Sequence, residues 1–164
     1  MIWEIRSARL EDSETLLPLW RAALDLHVEL APEFFRAPTA MVARAELARA
    51  VETTDRYRCL LVAVNEPDRI GGFITAAVFD TPKRPTMAPR RRAHVDQLFV
   101  VENRRRSGCG RALVDAAAKW ARNLGAHALL LTAWAGNQEG ERFYRTLGFR
   151  TVSQEMGLQI SPKA

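Results

Sequence analysis

The chain has 164 residues, of which 48% are hydrophobic and 26% are charged, and it carries a formal net charge of +5 at pH 7. This length suits one hydrophobic core, so we expect residues 1–164 to form a single domain. The longest apolar runs, such as 128–131, are far too short to cross a membrane. Two cysteines and no Cys/His cluster of metal-ligand spacing argue against a disulfide framework and a zinc site. We therefore expect a cytoplasmic protein that holds no metal.

Two arginine runs, Arg90-Arg91-Arg92 and Arg104-Arg105-Arg106, dominate the positive charge. Such charge suits an anionic partner, either nucleic acid or a phosphorylated small molecule, and it equally suits a solvated surface. The sequence has no interleaved exposed aromatics and no recognisable nucleic-acid-binding motif. A nucleic-acid partner is therefore not expected.

Apolar periodicity and capping residues predict the elements in chain order. A strand over 2–7 comes first, followed by a helix capped by Asp12 or Ser13, with Pro18 inside its pattern, and by a second helix from Thr39 to about Val51. The later predicted elements are strands Arg58–Val64, Gly71–Phe79 and Ala93–Val101, helix Gly108–Leu124, strand Ala128–Thr132, a helix from Asn137 to Gly148, and strands Phe149–Val152 and Met156–Ile160.

The connections and the order of these elements define the expected architecture. A turn is predicted at 65–68, and an exposed, mobile loop at 81–92, which contains three prolines and five basic residues. The strand at 128–132 is apolar throughout, which predicts burial on both of its faces. Mixed strands and helices around such a strand indicate an α/β or α+β sandwich.

The most informative segment is the turn that follows the strand ending near Val100. It reads Arg105-Arg106-Ser107-Gly108-Cys109-Gly110 and leads directly into a helix. Glycines let backbone N–H groups approach a ligand closely, and a helix start adds unpaired N–H donors and a positive dipole end. Together these features predict a phosphate site. A P-loop is excluded because Arg111 follows Gly110, and a dinucleotide fold lacks its third glycine, where Leu113 stands.

This turn, as Arg105-x-x-Gly108-x-Gly110, resembles the pyrophosphate-binding motif of the GNAT superfamily of N-acetyltransferases, Arg/Gln-x-x-Gly-x-Gly/Ala. Upstream, Leu98-Phe99-Val100 is similar to the family's fourth strand. Downstream, Asn137 followed by Phe143-Tyr144-Arg145-Thr146-Leu147-Gly148-Phe149 resembles its later motif. The resemblance covers nearly the whole chain and is strongest from residue 93 to residue 150. It implies a three-layer sandwich with about four helices and a mixed central sheet of six to seven strands, splayed between strands four and five.

The resemblance also implies an acetyl-CoA-dependent N-acetyltransferase, in which a primary amine attacks the thioester directly within a ternary complex. Acetyl-CoA is the implied cosubstrate, and a small-molecule or peptide amine is the implied acceptor. The residues assigned to the coenzyme are Leu98, Phe99 and Val100 for the pantetheine arm, Arg105, Arg106, Ser107, Gly108, Cys109, Gly110 and Arg111 for the pyrophosphate, and Asn137 for the arm or for capping its own helix.

Tyr144 is the implied catalytic acid. A phenol titrates near pH 10, so it stays protonated at neutral pH and can donate to the departing thiolate. The alternative is a tyrosine that only packs beside Phe143. Cys109 lies at the start of the helix that follows the glycine turn, where a thiol can be acidified and reactive. An acyl-cysteine step is nevertheless not expected there.

The implied base is His94 or Asp96. The two residues alternate on their strand, so both are expected on the face that carries Leu98 and Val100. A histidine suits proton removal at neutral pH, whereas an aspartate needs burial to raise its pKa. The alternative is that His94 is a solvated strand start and Asp96 a structural hydrogen-bond partner. His27 and Glu102 are further candidates.

The acceptor side stays open at the level of sequence. Phe34 and Phe35 form an apolar wall or seal a helix junction, and Trp134 packs or lines the acyl cleft. The arginines of 81–92 attract an acidic acceptor or are merely solvated. Two other functions are kept: a non-catalytic acetyl-CoA sensor and a basic nucleic-acid-binding protein. A homodimer is possible by family analogy alone.

Overall fold

A computed structural model describes residues 2–65, 69–82, 86, 90–158 and 160. Its elements in chain order are β1 (Glu4–Ser7), α1 (Ser13–Leu30), α2 (Ala40–Glu52), β2 (Arg58–Val64), β3 (Ile70–Asp80), β4 (Arg91–Val100), α3 (Cys109–Asn123), β5 (Leu129–Leu131) and α4 (Gln138–Thr146). Short 3-10 turns over Leu10–Asp12 and Glu102–Arg104 precede α1 and α3. The predicted order is confirmed through α4.

The five strands form one mixed sheet in the order β1-β2-β3-β4-β5. Neighbours from β1 to β4 are antiparallel, and β4 pairs with β5 in parallel. One face is covered by α1 and α2, whose Leu16 and Leu47 are buried with Phe73 of the sheet. The other face is covered by α3, where Leu113 and Ala117 are fully buried, and by the partly buried α4. The predicted three-layer sandwich is confirmed, and both cores arise because each helix buries one apolar stripe.

A partly buried ion pair fixes the start of α1 against β1. Asp12 is 7% exposed and accepts two hydrogen bonds of 2.7 Å from the Arg6 guanidinium. It accepts a third, also 2.7 Å, from the backbone N–H of Arg9. These bonds satisfy a carboxylate that would otherwise be costly to bury. They matter for function because α1 carries His27 at its far end.

The Asp12→Asn substitution should destabilise the fold by about 2 kcal/mol, between the values for exposed and fully buried pairs. The hydrogen bonds from Arg6 hold the pKa of Asp12 below its usual range. The stabilisation is therefore complete above the unfolded-state pKa of about 3.9 and is lost as the pH falls through the lower folded-state pKa. Urea unfolding from pH 7 down to pH 2 measures both effects. Glu11→Gln removes the exposed pair with Arg9 and serves as the control; an equal loss of stability in both variants would contradict the assignment.

The β4 strand contains a bulge that reorganises its second half. Ala76 on β3 pairs with Val95, and Thr75 pairs with Gln97, so Asp96 has no partner on β3. On the other edge, the ladder with β5 ends at the Val95–Leu131 pair. Within the described residues, β4 therefore continues to Val100 without a neighbour on its β5 side. The predicted splaying between strands four and five is confirmed.

Three predicted details need correction at the sheet's edge and end. The sheet has five strands, because the predicted strands Phe149–Val152 and Met156–Ile160 are not formed in the described residues. Residues 150–158 are exposed, and β5, only three residues long, offers a short edge for pairing. β5 lies at the edge of the sheet and is only half-buried, so the prediction that both of its faces are buried is wrong.

The third correction concerns the basic loop. β4 begins at Arg91, inside the predicted loop 81–92, because Arg91 and Arg92 pair with Asp80 and Phe79 on β3. Arg91 also makes two hydrogen bonds of 2.9 Å to the Asp80 carboxylate. The remaining loop residues 83–85 and 87–89 lie outside the described residues, as do 66–68 of the predicted turn.

Candidate active site

The glycine turn sits between β4 and α3, as predicted, and its backbone is unusual. Arg106 has a φ of 61° and Gly108 a φ of 87°, both in the left-handed region. A Cβ on Gly108 would meet no atom within 4 Å, so the space beside its backbone is open. Glycine is needed at 108 for its conformation, since side chains rarely adopt this φ.

The N–H groups of this turn are free to bind a ligand. Backbone bonds satisfy Arg104 and Arg105 on one side and Ala112 on the other. Within the described chain, the N–H groups from Arg106 to Arg111 have no hydrogen-bond acceptor. Consecutive free donors at the positive end of a fifteen-residue helix form an anion site.

Neighbouring side chains hold the turn in place. Trp3 donates from Nε1 to the Ser107 carbonyl over 3.2 Å, and its ring leaves no room for a Cβ on Gly71. Sequence reasoning missed this role, because a tryptophan near the N-terminus carries no signal for a contact more than a hundred residues away. Arg105 donates to the Val100 carbonyl at 3.4 Å and lies 3.6 Å from a Glu139 carboxylate oxygen. Arg105 therefore ties the turn to β4 and α4.

Glycine is needed at position 110 because of packing and not because of its backbone conformation. A Cβ there would lie 3.0 Å from the Phe143 ring, so glycine lets α3 approach α4 closely. Phe143 is adjacent in sequence to Tyr144, which lines a cleft, so the packing of Gly110 on Phe143 places the turn close to that cleft. Cys109 is 1% exposed, and burial raises the pKa of its thiol to about 12. A thiol of this kind is a poor nucleophile at neutral pH.

A small cleft opens between α1, β4, β5 and α4. Its polar and aromatic lining residues are His27, Asp96, Gln97, Thr132, Trp134, Asn137 and Tyr144. Leu98 and Phe99, from the part of β4 that is open on its β5 side, also line it, whereas Val100, His94 and Glu102 do not. The fold thus brings the proposed acid, one proposed base and the proposed pantetheine strand to one cavity.

Tyr144 presents its ring from α4. It packs against Phe143 and Phe149, with ring centroids 5.4 and 5.7 Å away. Burial raises the pKa of Tyr144 above its usual value, so the phenol is protonated at neutral pH. In the described part of the chain, nothing hydrogen-bonds to its hydroxyl, which leaves that proton for a ligand. Asn137 caps α4 by accepting from the Gly140 N–H at 2.9 Å, and it also lines the cleft.

The predicted orientation of His94 and Asp96 is wrong, and the β4 bulge explains why. Leu98 and Val100 pack in the core under α3, together with Val95. His94, next to Val95, faces the opposite side of the sheet, toward α1. The extra residue at 96 shifts the alternation by one between the two halves of the strand.

The two candidate bases are paired with each other. Oδ1 of Asp96 lies 3.2 Å from Nδ1 of His94. Asp96 lines the cleft, whereas His94 does not. His27 lines the cleft from α1, and burial lowers the pKa of its imidazole. A neutral imidazole is therefore expected there at neutral pH.

Across the described ranges, no group of three or more His, Cys, Asp or Glu side chains is placed to hold a metal ion. None of the helices in those ranges combines the length and the apolar composition needed to cross a membrane. The notable features are thus a turn with free N–H groups and a cleft beside an open strand edge.

The free N–H groups of the turn and the splayed strand characterise this fold, and comparison with known proteins names the class. A sequence model of the acetyltransferase (GNAT) family matches residues 20–149. The chain belongs to this family, which confirms the resemblance read from the glycine turn and the Asn137–Phe149 segment.

Individual relatives agree with this assignment. The peptidyl-lysine N-acetyltransferase YjaB of Escherichia coli K12 is 28% identical over 155 residues, which cover 94% of this chain and 86% of that protein. The crystal structure of the F44R mutant of BH1408 from Bacillus halodurans matches with a TM-score of 0.87 and 28% identity, over 98% of this chain and all of that one. An aminoglycoside 6'-N-acetyltransferase from Acinetobacter haemolyticus shares the fold, with a TM-score of 0.72 and 16% identity over 98% and 99% of the two chains.

Proposed function

We propose that this protein is a single-domain N-acetyltransferase that moves an acetyl group from acetyl-CoA to a primary amine by direct attack in a ternary complex. The observation that carries the proposal is the row of free N–H groups from Arg106 to Arg111, next to the part of β4 that has no neighbour on its β5 side. A diphosphate needs several converging donors, and a pantetheine arm needs exposed strand backbone. Family membership supports both assignments.

The coenzyme would be held by residues of three elements. The N–H groups from Arg106 to Arg111 would bind the diphosphate, with Arg105 anchoring the turn. The backbone from Leu98 to Val100 would bind the pantetheine arm in the gap beside β5. Asn137 keeps its amide NH₂ available at the cleft, while its Oδ1 caps α4. Bound in this way, the coenzyme supplies an activated acyl thioester.

Proton transfers are assigned to groups at the cleft. The acceptor arrives as an ammonium ion. The side chain of Asp96 is 59% exposed and lacks the burial that a strong aspartate base needs, so we assign it a relay that takes one proton from the ammonium ion and passes it to water or to His94, 3.2 Å away. The neutral amine then forms the C–N bond to the acyl carbon, and the C–S bond breaks. Tyr144 gives its proton to the leaving thiolate. The second amine proton leaves to solvent, so charge and protons balance once Tyr144 is reprotonated.

The acceptor is proposed to be a small-molecule or peptide amine. The name of the YjaB relative specifies a lysine side chain in a peptide, which makes a lysine-type amine one candidate.

A free-thiol release assay with acetyl-CoA and pooled primary amines tests the proposal. We expect thiol release that depends on the amine and matches the acetylated product mole for mole, and we expect acetyl-CoA to raise the melting temperature. Coenzyme binding without thiol release across a broad amine panel would instead identify a coenzyme sensor. Salt-dependent nucleic-acid binding with no coenzyme effect would identify a nucleic-acid-binding protein.

A further inference from the structure

Four aromatic rings from two distant parts of the chain meet beside the cleft. His27 stacks on Phe35 with centroids 5.1 Å apart, and Trp134 lies 5.3 Å from Phe34 and 5.0 Å from Phe35. We call His27, Phe34, Phe35 and Trp134 the aromatic wall. His27 and Trp134 line the cleft itself. Phe34 is 69% exposed, so it does not merely seal the junction between α1 and α2.

The charge inside the cleft is opposite to that of the chain as a whole. The chain has a net charge of +5, yet no Lys or Arg stands among the described residues that line the cleft. Asp96 carries the one carboxylate in that described lining. Burial lowers the pKa of His27, so the aromatic wall is uncharged at neutral pH. Arg91 and Arg92, which sequence reasoning offered as attractants for an acidic acceptor, lie outside the lining.

An unsatisfied acceptor adds to this pattern. The side-chain oxygen of Gln97, a lining residue, is buried and has no hydrogen-bond partner. A buried acceptor without a donor is costly, and a donor from a bound ligand would remove that cost. Gln97, Asp96 and neutral His27 together offer acceptors to a group that carries several N–H bonds.

We propose that the aromatic wall, Asp96 and Gln97 select a cationic primary amine carried on an aromatic or unbranched aliphatic arm, with no acid group beside the amine. The selection rests on the proposed function, because His27 and Trp134 of the wall line the cleft that also holds the proposed catalytic groups. Aromatic faces attract an ammonium ion and bury an apolar arm. A carboxylate next to the amine would approach Asp96, and no lining residue within the described ranges carries a cation to offset their repulsion.

Matched amines measure this selection without turnover. Binding to protein saturated with coenzyme A is measured by calorimetry for 2-phenylethylamine, for phenylalanine, which adds a carboxylate, and for ethanolamine, which lacks the apolar arm. We expect 2-phenylethylamine to bind at least about 10-fold more tightly than either of the other two, the usual range for an apolar arm in a pocket. Hexylamine should bind comparably to 2-phenylethylamine.

Two variants locate the effect. Phe34→Ala should weaken binding of 2-phenylethylamine by about 10-fold, as expected for loss of aromatic and cation–π contact. Phe79→Ala removes an exposed phenylalanine from the far end of β3 and should leave binding unchanged. Equal affinity for the three amines, preference for phenylalanine, or insensitivity to Phe34→Ala would each overturn the proposal. If the selectivity fails but other amines still cause thiol release from acetyl-CoA, the acetyltransferase assignment stands. If the selective binding is found but no amine causes thiol release, the acetyltransferase assignment is contradicted and the proposed selectivity is retained.

Discussion

Gly108→Val should lower the affinity for acetyl-CoA by about 100-fold. Valine strongly resists the left-handed φ of 87°, so the turn must change its shape and the N–H groups from Arg106 to Arg111 must point elsewhere. Losing one or two hydrogen bonds to a charged diphosphate, each worth about 1.5–3 kcal/mol, corresponds to a factor of this size. Calorimetric titration with acetyl-CoA measures it.

Gly125→Val is the matched control for backbone strain. Gly125 follows α3, has a φ of 80°, and likewise has no atom within 4 Å of a Cβ position. Both variants should lose comparable stability, of the order of 1–2 kcal/mol. Only the change at Gly108 should weaken coenzyme binding. Equal weakening in both would mean that strain, and not the lost donors, explains the result.

Tyr144→Phe should reduce kcat by 10²- to 10⁴-fold, about the usual contribution of a general acid, and leave the KM for acetyl-CoA nearly unchanged. The substitution keeps the ring contacts with Phe143 and Phe149 and removes only the hydroxyl. Because burial raises the pKa of Tyr144, the loss of its proton should lower the wild-type rate only above about pH 10. Steady-state thiol release across pH measures both expectations.

Tyr57→Phe provides the comparison. Tyr57 is the other tyrosine of the chain, is exposed, and lies outside the cleft, beside Arg56 and Arg91. It should retain full turnover and the same pH profile. Undiminished turnover in Tyr144→Phe would remove Tyr144 as the acid and leave a packing role.

Local signals carried most of the prediction. The α3 start at Cys109 follows from a glycine before an amphipathic run, and the α4 start follows from Asn137, whose cap bond spans three residues. Such features depend on neighbours in sequence, so their physics is visible in the sequence itself. The glycine turn belongs to this group, which is why the fold and the family could be predicted.

Features that depend on contacts between residues far apart in sequence could not be predicted from the sequence. The β4 bulge at Asp96 depends on how β3 and β4 align, and the hydrophobic alternation of β4 alone does not reveal an extra residue. Its consequence was the misassigned face of His94. The contact from Trp3 to Ser107 and the meeting of Phe34 with Trp134 likewise join segments far apart in the chain.

The prediction of two C-terminal strands failed for a different reason. Its apolar residues, Val152, Met156 and Leu158, are spaced as strands would be, and all three are exposed. Strand formation needs a partner as well as a pattern, and β5 offers three residues at its edge. Alternation without an available partner therefore overpredicted the sheet.

Amide resonances followed during a coenzyme A titration test the central claim most directly. The account predicts that the backbone N–H signals from Arg106 to Arg111 move together and saturate with coenzyme, while the Gly125 signal stays in place. Saturable binding that leaves the signals of this turn unmoved, or no binding at all, would contradict it.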